Sequence, residues 1–254
     1  MDVKNELNDK FLSQDFGNND RISENLNSYR LFASGYARIE NAIAVLSDLK
    51  ERKSYIYYGG MAQTLGMDTK SRCRCVDSIW EDEIFRCISP RDMERKHLEE
   101  LKFIHFIRTK TKQDYSNYYL SSVLTMIDRE GHRHQVRHRV FYVGIQPNGS
   151  IRLALCLYNL TDDKSDTKSY ICESVSGKVL PLEQHNCNDL VSKREKEILR
   201  FIDEGMLSKE ISESLSISIH TVNRHRQNIL LKLCASNSIE ACRIAKQLNL
   251  IQLN

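Results

Sequence analysis

His220, Asn223, Arg224 and Gln227 recur at i, i+3, i+4 and i+7. On a helix that spacing puts all four on one face, and the face holds no acid. Arg, Asn and Gln are the side chains that make paired hydrogen bonds to guanine or adenine edges in the major groove of DNA. The chemistry this predicts is base readout rather than bond breaking. A solvated helix face would carry similar residues, so the surrounding elements must decide between the two.

Other reactive groups point nowhere so clearly. Cys73 and Cys75 form a C-x-C pair with no second pair to match it, so free thiols packed as small hydrophobes are expected rather than a zinc site. His132, His134 and His138 cluster on a predicted hairpin, where alternation would put all three on one face as a metal or anion site. Arg133, Arg137 and Arg139 interleave with them, which suggests a polar sheet face. No Cys or carboxylate is expected to complete a metal-ligand set there, so no metal is predicted. His97 and His105 are lone histidines that could be weighed as haem ligands, and nothing beside them strengthens that reading. No nucleophile elbow, phosphate-binding loop or paired-carboxylate motif is visible, so an enzyme is not expected.

The segment that must position the first face reads as all helix. In LVSKREKEILRFIDEG, Ser192 stands three residues before Glu195, a capping-box spacing, and Ile198, Leu199 and Ile202 form one apolar stripe. Gly205 falls where a helix end favours a left-handed residue. Ser208 is predicted to cap a helix from Lys209 to Leu215, with Ile211 and Leu215 inward. After the short turn Ser216-Ile217, Ser218 caps Ile219 to Leu233, with Val222, Ile229 and Leu233 inward. Asn237, followed by Glu240, caps Ser238 to Leu248. Four short capped helices with a tight turn between the second and third make a helix-turn-helix arrangement. The positive N-terminal end of the third helix suits a phosphate, and Lys209 can reach the backbone beside the groove.

The first part of the chain mixes strands and helices and predicts an α+β unit. Residues 1 to 21, polar and rich in Asn and Asp, are expected to fray at the start; a helix is predicted from Ile22 to Ile39. AIAVLS (Ala42 to Ser47) and SYIYY (Ser54 to Tyr58) flank a charged turn as a hairpin. Short helical pieces follow at Gly60–Leu65 and Asp77–Cys87, then a helix capped by Ser89 with Pro90 at its first position and running toward Ile107. Tyr118–Asp128, His134–Val143 and Ile151–Leu160 form a three-stranded meander, with Asn148-Gly149 as a strong hairpin turn. A last hairpin is placed at Tyr170–Leu180 around Ser176-Gly177. The stretch PLEQHNCND, residues 181–189, lacks periodicity and reads as linker, with its core at 183–189.

Composition fits two domains. The 254 residues are 41% apolar and 28% charged, ordinary for a globular chain. Apolar runs such as Ala42–Leu46 and Leu153–Tyr158 are far too short to span a bilayer, and MDVKNELNDKF lacks an apolar core behind a basic start, so neither membrane span nor secretory leader is expected. The cytoplasm is the predicted compartment. Net charge is +3, and its placement matters more than its size. Residues 190–254 hold ten Lys/Arg and seven Asp/Glu, whereas the first 189 hold 27 of each. From Ser216 onward there are five basic residues and one acid, Glu240. A polyanion contact is therefore sought in the last quarter.

Two resemblances sharpen these expectations. AIAVLSDLKERKSYIYYGGMAQTLGM, ISPRDM (Ile88 to Met93), MIDREGHRHQVRHRVFYV and RLALCLYNLTDD together resemble the opening, long helix and closing strands of PAS domains, over roughly residues 38–163. SRCRCVD (Ser71 to Asp77) is faintly similar to the flavin-binding Cys motif of light-sensing PAS domains, but Arg72 stands where that motif has Asn, and no flavin is expected. Thus no cofactor is predicted.

Leu190–Leu199, Gly205–Ser212, Ile217–His225 and Ile229–Leu233 follow in order the motifs L-T-x-R-E-x-E-V-L, G-x-S-N-K-E-I-A, I-S-x-x-T-V-x-x-H and I-x-x-K-L. The stretch is similar to LuxR/FixJ-type (GerE-like) DNA-binding domains over about residues 188–248. The resemblance implies base contacts by Asn223, Arg224 and Gln227, phosphate contacts by Lys209, Thr221 and Arg226, structural roles for Val222 and His225, and a dimer surface on the fourth helix with Ile239, Cys242, Arg243 and Lys246. Asn223 and Gln227 stand where family members commonly carry Lys or another long base, so no operator sequence is implied.

The predicted architecture is α+β: an N-terminal extension (1–37), a PAS-like antiparallel sheet with flanking helices (38–182), a linker (183–189) and a four-helix LuxR-type helix-turn-helix domain (190–254). The predicted function is a sequence-specific transcriptional regulator, acting as a homodimer on double-stranded DNA, whose PAS-like domain senses a small-molecule or protein signal or mediates dimerisation. A flavin- or haem-dependent sensor and a protein-interaction module are the alternatives. A phosphorylated receiver domain is disfavoured, because no acidic pair follows the first strand.

Overall fold

The computed structural model of the protein describes residues 3–17, 21–162, 168–182, 191–233, 235, 237–247 and 250–251, without the side chains of 6, 21–25, 231 and 247. Residues 183–190, which hold the expected linker, lie outside them. The chain divides into two compact units, Met1–Glu183 and Gln184–Asn254.

In the first unit the two predicted β-rich runs pair as a hairpin. β1 (Ile43–Asp48) lies antiparallel to β2 (Lys53–Tyr58), with Ile43 opposite Tyr58 and Asp48 opposite Lys53. β2 takes a short edge strand, β3 (Cys73–Val76), on its other side. β4 (Tyr118–Ile127), β5 (Arg133–Ile145) and β6 (Ile151–Leu160) form the meander, and β7 (Tyr170–Glu173) and β8 (Val179–Pro181) form the last hairpin. Among the described residues these eight strands make one antiparallel sheet in the order β3-β2-β1-β6-β5-β4-β7-β8. The first hairpin thus joins the meander through β1 and β6, strands far apart in sequence. β1 is buried along its whole length, as a central strand covered on both faces must be.

Helices supply that cover. α1 (Val3–Leu12) and α2 (Arg21–Ile39) precede the sheet; α3 (Gly60–Thr64), α4 (Asp82–Phe85) and α5 (Pro90–Arg108) lie between β2 and β4. On one face Ala33 and Ala37 of α2 pack against Ala44, Leu46, Leu153 and Leu155. The small alanines let the helix lie close. Gly59 serves the same approach: a Cβ there would stand 2.1 Å from the Ala37 carbonyl oxygen, so no larger residue fits. On the opposite face α5 places Leu101, Phe103, Ile104 and Ile107 against Val140 and Tyr142 of β5. Ser89 starts α5 by accepting from the Asp92 amide at 3.3 Å, with Pro90 in the first position, as its sequence predicts.

Three expectations are corrected here. Val3–Leu12 is helical, against the expected fraying: Val3, Leu7 and Phe11 recur at i, i+4 and i+8 and dock into the core, where Leu7 is fully buried. That stripe outweighs the polar composition around it. The three histidines do not share a polar face. His132 precedes β5, and its Nδ1 stands 3.2 Å from an Asp128 carboxylate oxygen that also lies 2.9 Å from His134 Nε2. His138 falls in the same alternation as Val136, Val140 and Tyr142 and is fully buried. A carboxylate does therefore neighbour two of them, yet no group of three His, Cys, Asp or Glu among the described residues could hold a metal ion. Lastly, the C-x-C segment is a strand, with Cys73 half-buried and Cys75 exposed.

The interior also holds paired polar groups. Arg152 and Asp48 form a buried ion pair at 3.1 Å, and Lys96 and Glu100 another at 2.7 Å. Ser47 donates to Glu81 at 3.2 Å. The ring of His138 stacks on that of Tyr158 with centroids 4.6 Å apart. The hydroxyls of Tyr142 and Tyr158 are buried with no hydrogen-bond partner among the described residues, an arrangement that costs about 1–3 kcal/mol for each such group. Among the described residues no helix is long and apolar enough to cross a membrane.

Candidate nucleic-acid interface

The second unit builds outward from a locally encoded start. α6 (Lys193–Asp203) opens with a complete capping box: Ser192 Oγ accepts from the Glu195 amide at 3.2 Å, and Glu195 accepts from the Ser192 amide at 2.6 Å. Glu195 also accepts from Lys232 Nζ at 2.7 Å. Burial alone would raise its pKa, but the Lys232 and Ser192 hydrogen bonds overcome that and hold it below the usual value. Gly205, at φ +85°, ends the first helical segment in the left-handed region glycine favours.

α7 (Ser208–Ser214) departs slightly from its predicted start. Leu207 holds the cap position, and Glu210 reaches back to the Leu207 amide at 2.6 Å. Ser208 is the first helical residue. The turn that follows places Ser216 at φ +52° and closes with an Ile217 amide to Ser212 carbonyl bond of 3.1 Å. Arg194 of α6 donates to the Leu215 carbonyl at 3.1 Å, fixing the end of α7. Ser218 then starts α8 (Ile219–Leu233) by accepting from the Thr221 amide at 3.0 Å, as predicted.

α8 is set by its apolar stripe. Val222, Ile229 and Leu233 are buried among Ile198, Leu199 and Ile211. With that side anchored, His220, Asn223, Arg224 and Gln227 are all exposed. The helix therefore presents outward a face of hydrogen-bonding groups without a carboxylate. Lys209, in the first turn of α7, is also exposed, and Thr221 is half-buried with its hydroxyl 2.8 Å from that of Ser218. His225 is half-buried.

Arg226 has a different placement. Its guanidinium donates to Ser208 Oγ at 2.9 Å and to Ser238 Oγ at 3.1 Å, tying the starts of α7 and α9 (Ser238–Gln247) to α8. Sequence reasoning missed this bridge, because its three members are far apart along the chain and no spacing signals them.

On α9, Asn237 Oδ1 accepts from the Glu240 amide at 2.9 Å, as its sequence predicts. The four residues assigned to a dimer surface separate. Ile239 is 85% exposed. Lys246 pairs with Asp203 at 2.7 Å, and Arg243 lies 4.0 Å from Glu240. Cys242 is not on a surface: it is buried with its thiol directed at the Leu199 carbonyl, 3.6 Å away, and burial pushes its pKa up to about 11. The inward stripe of α9, Ala241, Ile244 and Ala245, draws the adjacent Cys242 in with it.

A short turn joining two helices, the second held by its apolar side with a polar face outward, defines a helix-turn-helix DNA-binding unit. Residues 189–245 match the family model described as bacterial regulatory proteins, luxR family. The chain is 42% identical over 82 residues to the transcriptional regulatory protein LiaR of Bacillus subtilis, covering 30% of this chain and 39% of LiaR. It is 48% identical over 60 residues to the regulatory protein SdiA of Escherichia coli, covering 24% of this chain and 25% of SdiA. It thus spans well under half the length of these relatives. Among solved structures, the phage VqmA–DPO complex aligns over 92% of this chain and 93% of its own, at 15% identity and a TM-score of 0.30. The C-terminal unit of this protein is a LuxR-type helix-turn-helix domain.

Proposed function

We propose that the protein is a sequence-specific, DNA-binding transcriptional regulator. It acts without catalysis, as a homodimer on a pseudo-palindromic duplex in the cytoplasm. The observation that carries this reading is the exposed, acid-free face of α8, anchored from behind by Val222, Ile229 and Leu233. Asn223, Arg224 and Gln227 read base edges, and each well-formed paired contact contributes about 1–3 kcal/mol of discrimination. Lys209 and Thr221 face phosphates. Arg226 positions α8 instead, since its guanidinium is engaged by Ser208 and Ser238. The dimer contact on α9 centres on Ile239, flanked by Arg243 and Lys246.

The first unit is the input. The succession of hairpin, short helices, long helix and three-stranded meander supports a PAS-like sensor domain at 38–182, preceded by the extension at 1–37 and joined through 183–189 to the DNA-binding domain at 190–254. Selection of bound sequences from a random duplex pool by the full chain tests the reading. Recovery of a two-fold repeated half-site is the result it predicts; a pool that stays random after repeated rounds contradicts it.

A further inference from the structure

Between α5, α1 and the sheet lies a cavity of about 40 Å³. A buried water needs about 10–15 Å³, so the space suits a compact group of only a few heavy atoms. Its walls are mixed. Trp80, Phe85, Val140 and Ala154 are apolar; Ser47, Glu81, Lys96, Glu100 and Tyr142 are polar. Glu81, Lys96 and Glu100 are each more than nine-tenths buried, and Tyr142 is fully buried. None of them lies on the outward face of α8, and well-packed apolar residues often replace a buried ion pair without loss of stability.

The donors and acceptors are arranged as an unfinished set. Lys96 and Glu100 satisfy one another at 2.7 Å, and Ser47 donates to Glu81. Tyr142 lines the cavity, and its buried hydroxyl has no hydrogen-bond partner among the described residues. Buried polar groups ordinarily find one, so an occupant of the cavity that hydrogen-bonds would answer an open need at Tyr142. Charge narrows the occupant. Among the lining residues Lys96 is the one cation, and Glu100 already neutralises it. Glu81 adds a second acid, whose carboxyl burial pushes up to about 7, so it is partly protonated near neutrality and can both donate and accept. An anion would meet a surplus of acid, and a buried unpaired charge is costly in any case.

We propose that this cavity binds a small uncharged molecule that both donates and accepts hydrogen bonds, seated between Glu81, the Lys96–Glu100 pair and the Tyr142 hydroxyl against the apolar wall of Trp80, Val140 and Ala154. The proposal rests on the sensor reading of the first unit and gives that unit a ligand class. α1 forms part of the enclosure: Phe11 lines the cavity, and Asn8 accepts from the Trp80 indole at 3.0 Å.

Acetamide, acetate and methylammonium are compact probes that differ in charge. Each is titrated, at matched ionic strength, into the full chain carrying labelled methyl groups. The result expected is saturable movement of the Ile79, Val140 and Ala154 methyl signals by acetamide, with both ions weaker by about tenfold or more. Tyr142→Phe weakens acetamide several-fold, and Ala154→Leu, which fills the space, abolishes the response. If Ala154→Leu does not fold, the milder Tyr142→Phe variant alone decides. No saturable movement, as for a cavity that takes water only, overturns the proposal, and so does an ion that binds as tightly as acetamide. The affinity of the same samples for a selected duplex is read separately. Acetamide that saturates the site without moving that affinity keeps the site and removes the sensor reading.

Discussion

Arg226→Ala separates two roles that one residue could play. In the structure the guanidinium spans Ser208 and Ser238 through bonds of 2.9 and 3.1 Å. Hydrogen bonds to a charged group contribute about 1.5–3 kcal/mol each when well buried. Arg226 is only half-buried, so solvent competition favours the lower end, and the pair together contributes about 2–3 kcal/mol. Removing it should lower the unfolding free energy of the C-terminal unit by that amount. Arg226→Lys, which keeps a charge but not the fork, should lose about half. The assay is denaturant unfolding of the full chain followed by two signals. Trp80 is the single tryptophan and reports the sheet unit, whereas circular dichroism also reports the helices of the C-terminal unit. The Trp80 transition should stay in place while the helical transition moves to lower denaturant. A phosphate contact would behave otherwise: stability would hold, and the slope of log affinity against log salt would shrink by about 0.9. That pairing of results would refute the bridge as the residue's main role.

Further expectations follow from individual groups. Ser192→Ala removes one half of the capping box and should destabilise the C-terminal unit by about 1 kcal/mol, read from the same helical transition. Glu81 is pushed by burial from the ordinary 4.5 up to about 7, so the folded chain holds this proton more tightly than the unfolded one between those values. Its contribution to stability therefore falls as pH rises through that window and levels off above about 7, a loss on the order of 3 kcal/mol. Glu81→Gln should remove this slope and be the more stable variant at pH 8 by Trp80-monitored unfolding; parallel pH profiles of the two proteins would contradict it. Ile239→Asp should weaken self-association in sedimentation while leaving the monomer's helical content unchanged, whereas an unaltered dimer would place the contact elsewhere.

The C-terminal unit was legible where its signals are local. Ser192 with Glu195, Gly205, Ser218 and Asn237 each act within one turn of the chain, and all four sit at helix ends as their types demand. The Arg226 bridge and the burial of Cys242 had no local signal, because their surroundings come from other helices. The family resemblance grouped Cys242 with Ile239 and Lys246, whereas the packing of α9 turns its thiol toward the Leu199 carbonyl. In the sheet unit, the strands of the meander and the Asn148-Gly149 turn followed from alternation and turn chemistry. His138 is legible as a core residue from its shared parity with Val136, Val140 and Tyr142. The stripe of Val3, Leu7 and Phe11 was equally visible and was overruled by the polar residues between them. The unfinished hydrogen bonding around Tyr142 had no sequence signal, since it joins α5, β1, β5 and the segment before α4.

The most direct test of base readout by α8 is the ratio of specific to non-specific duplex affinity, measured for the native chain and for Arg224→Ala at the same salt concentration. A lost paired contact of about 1–3 kcal/mol predicts that this ratio falls by about 5- to 150-fold, with non-specific binding changed far less. Equal losses on the selected and the random duplex would show that Arg224 supplies charge alone, and would contradict the account.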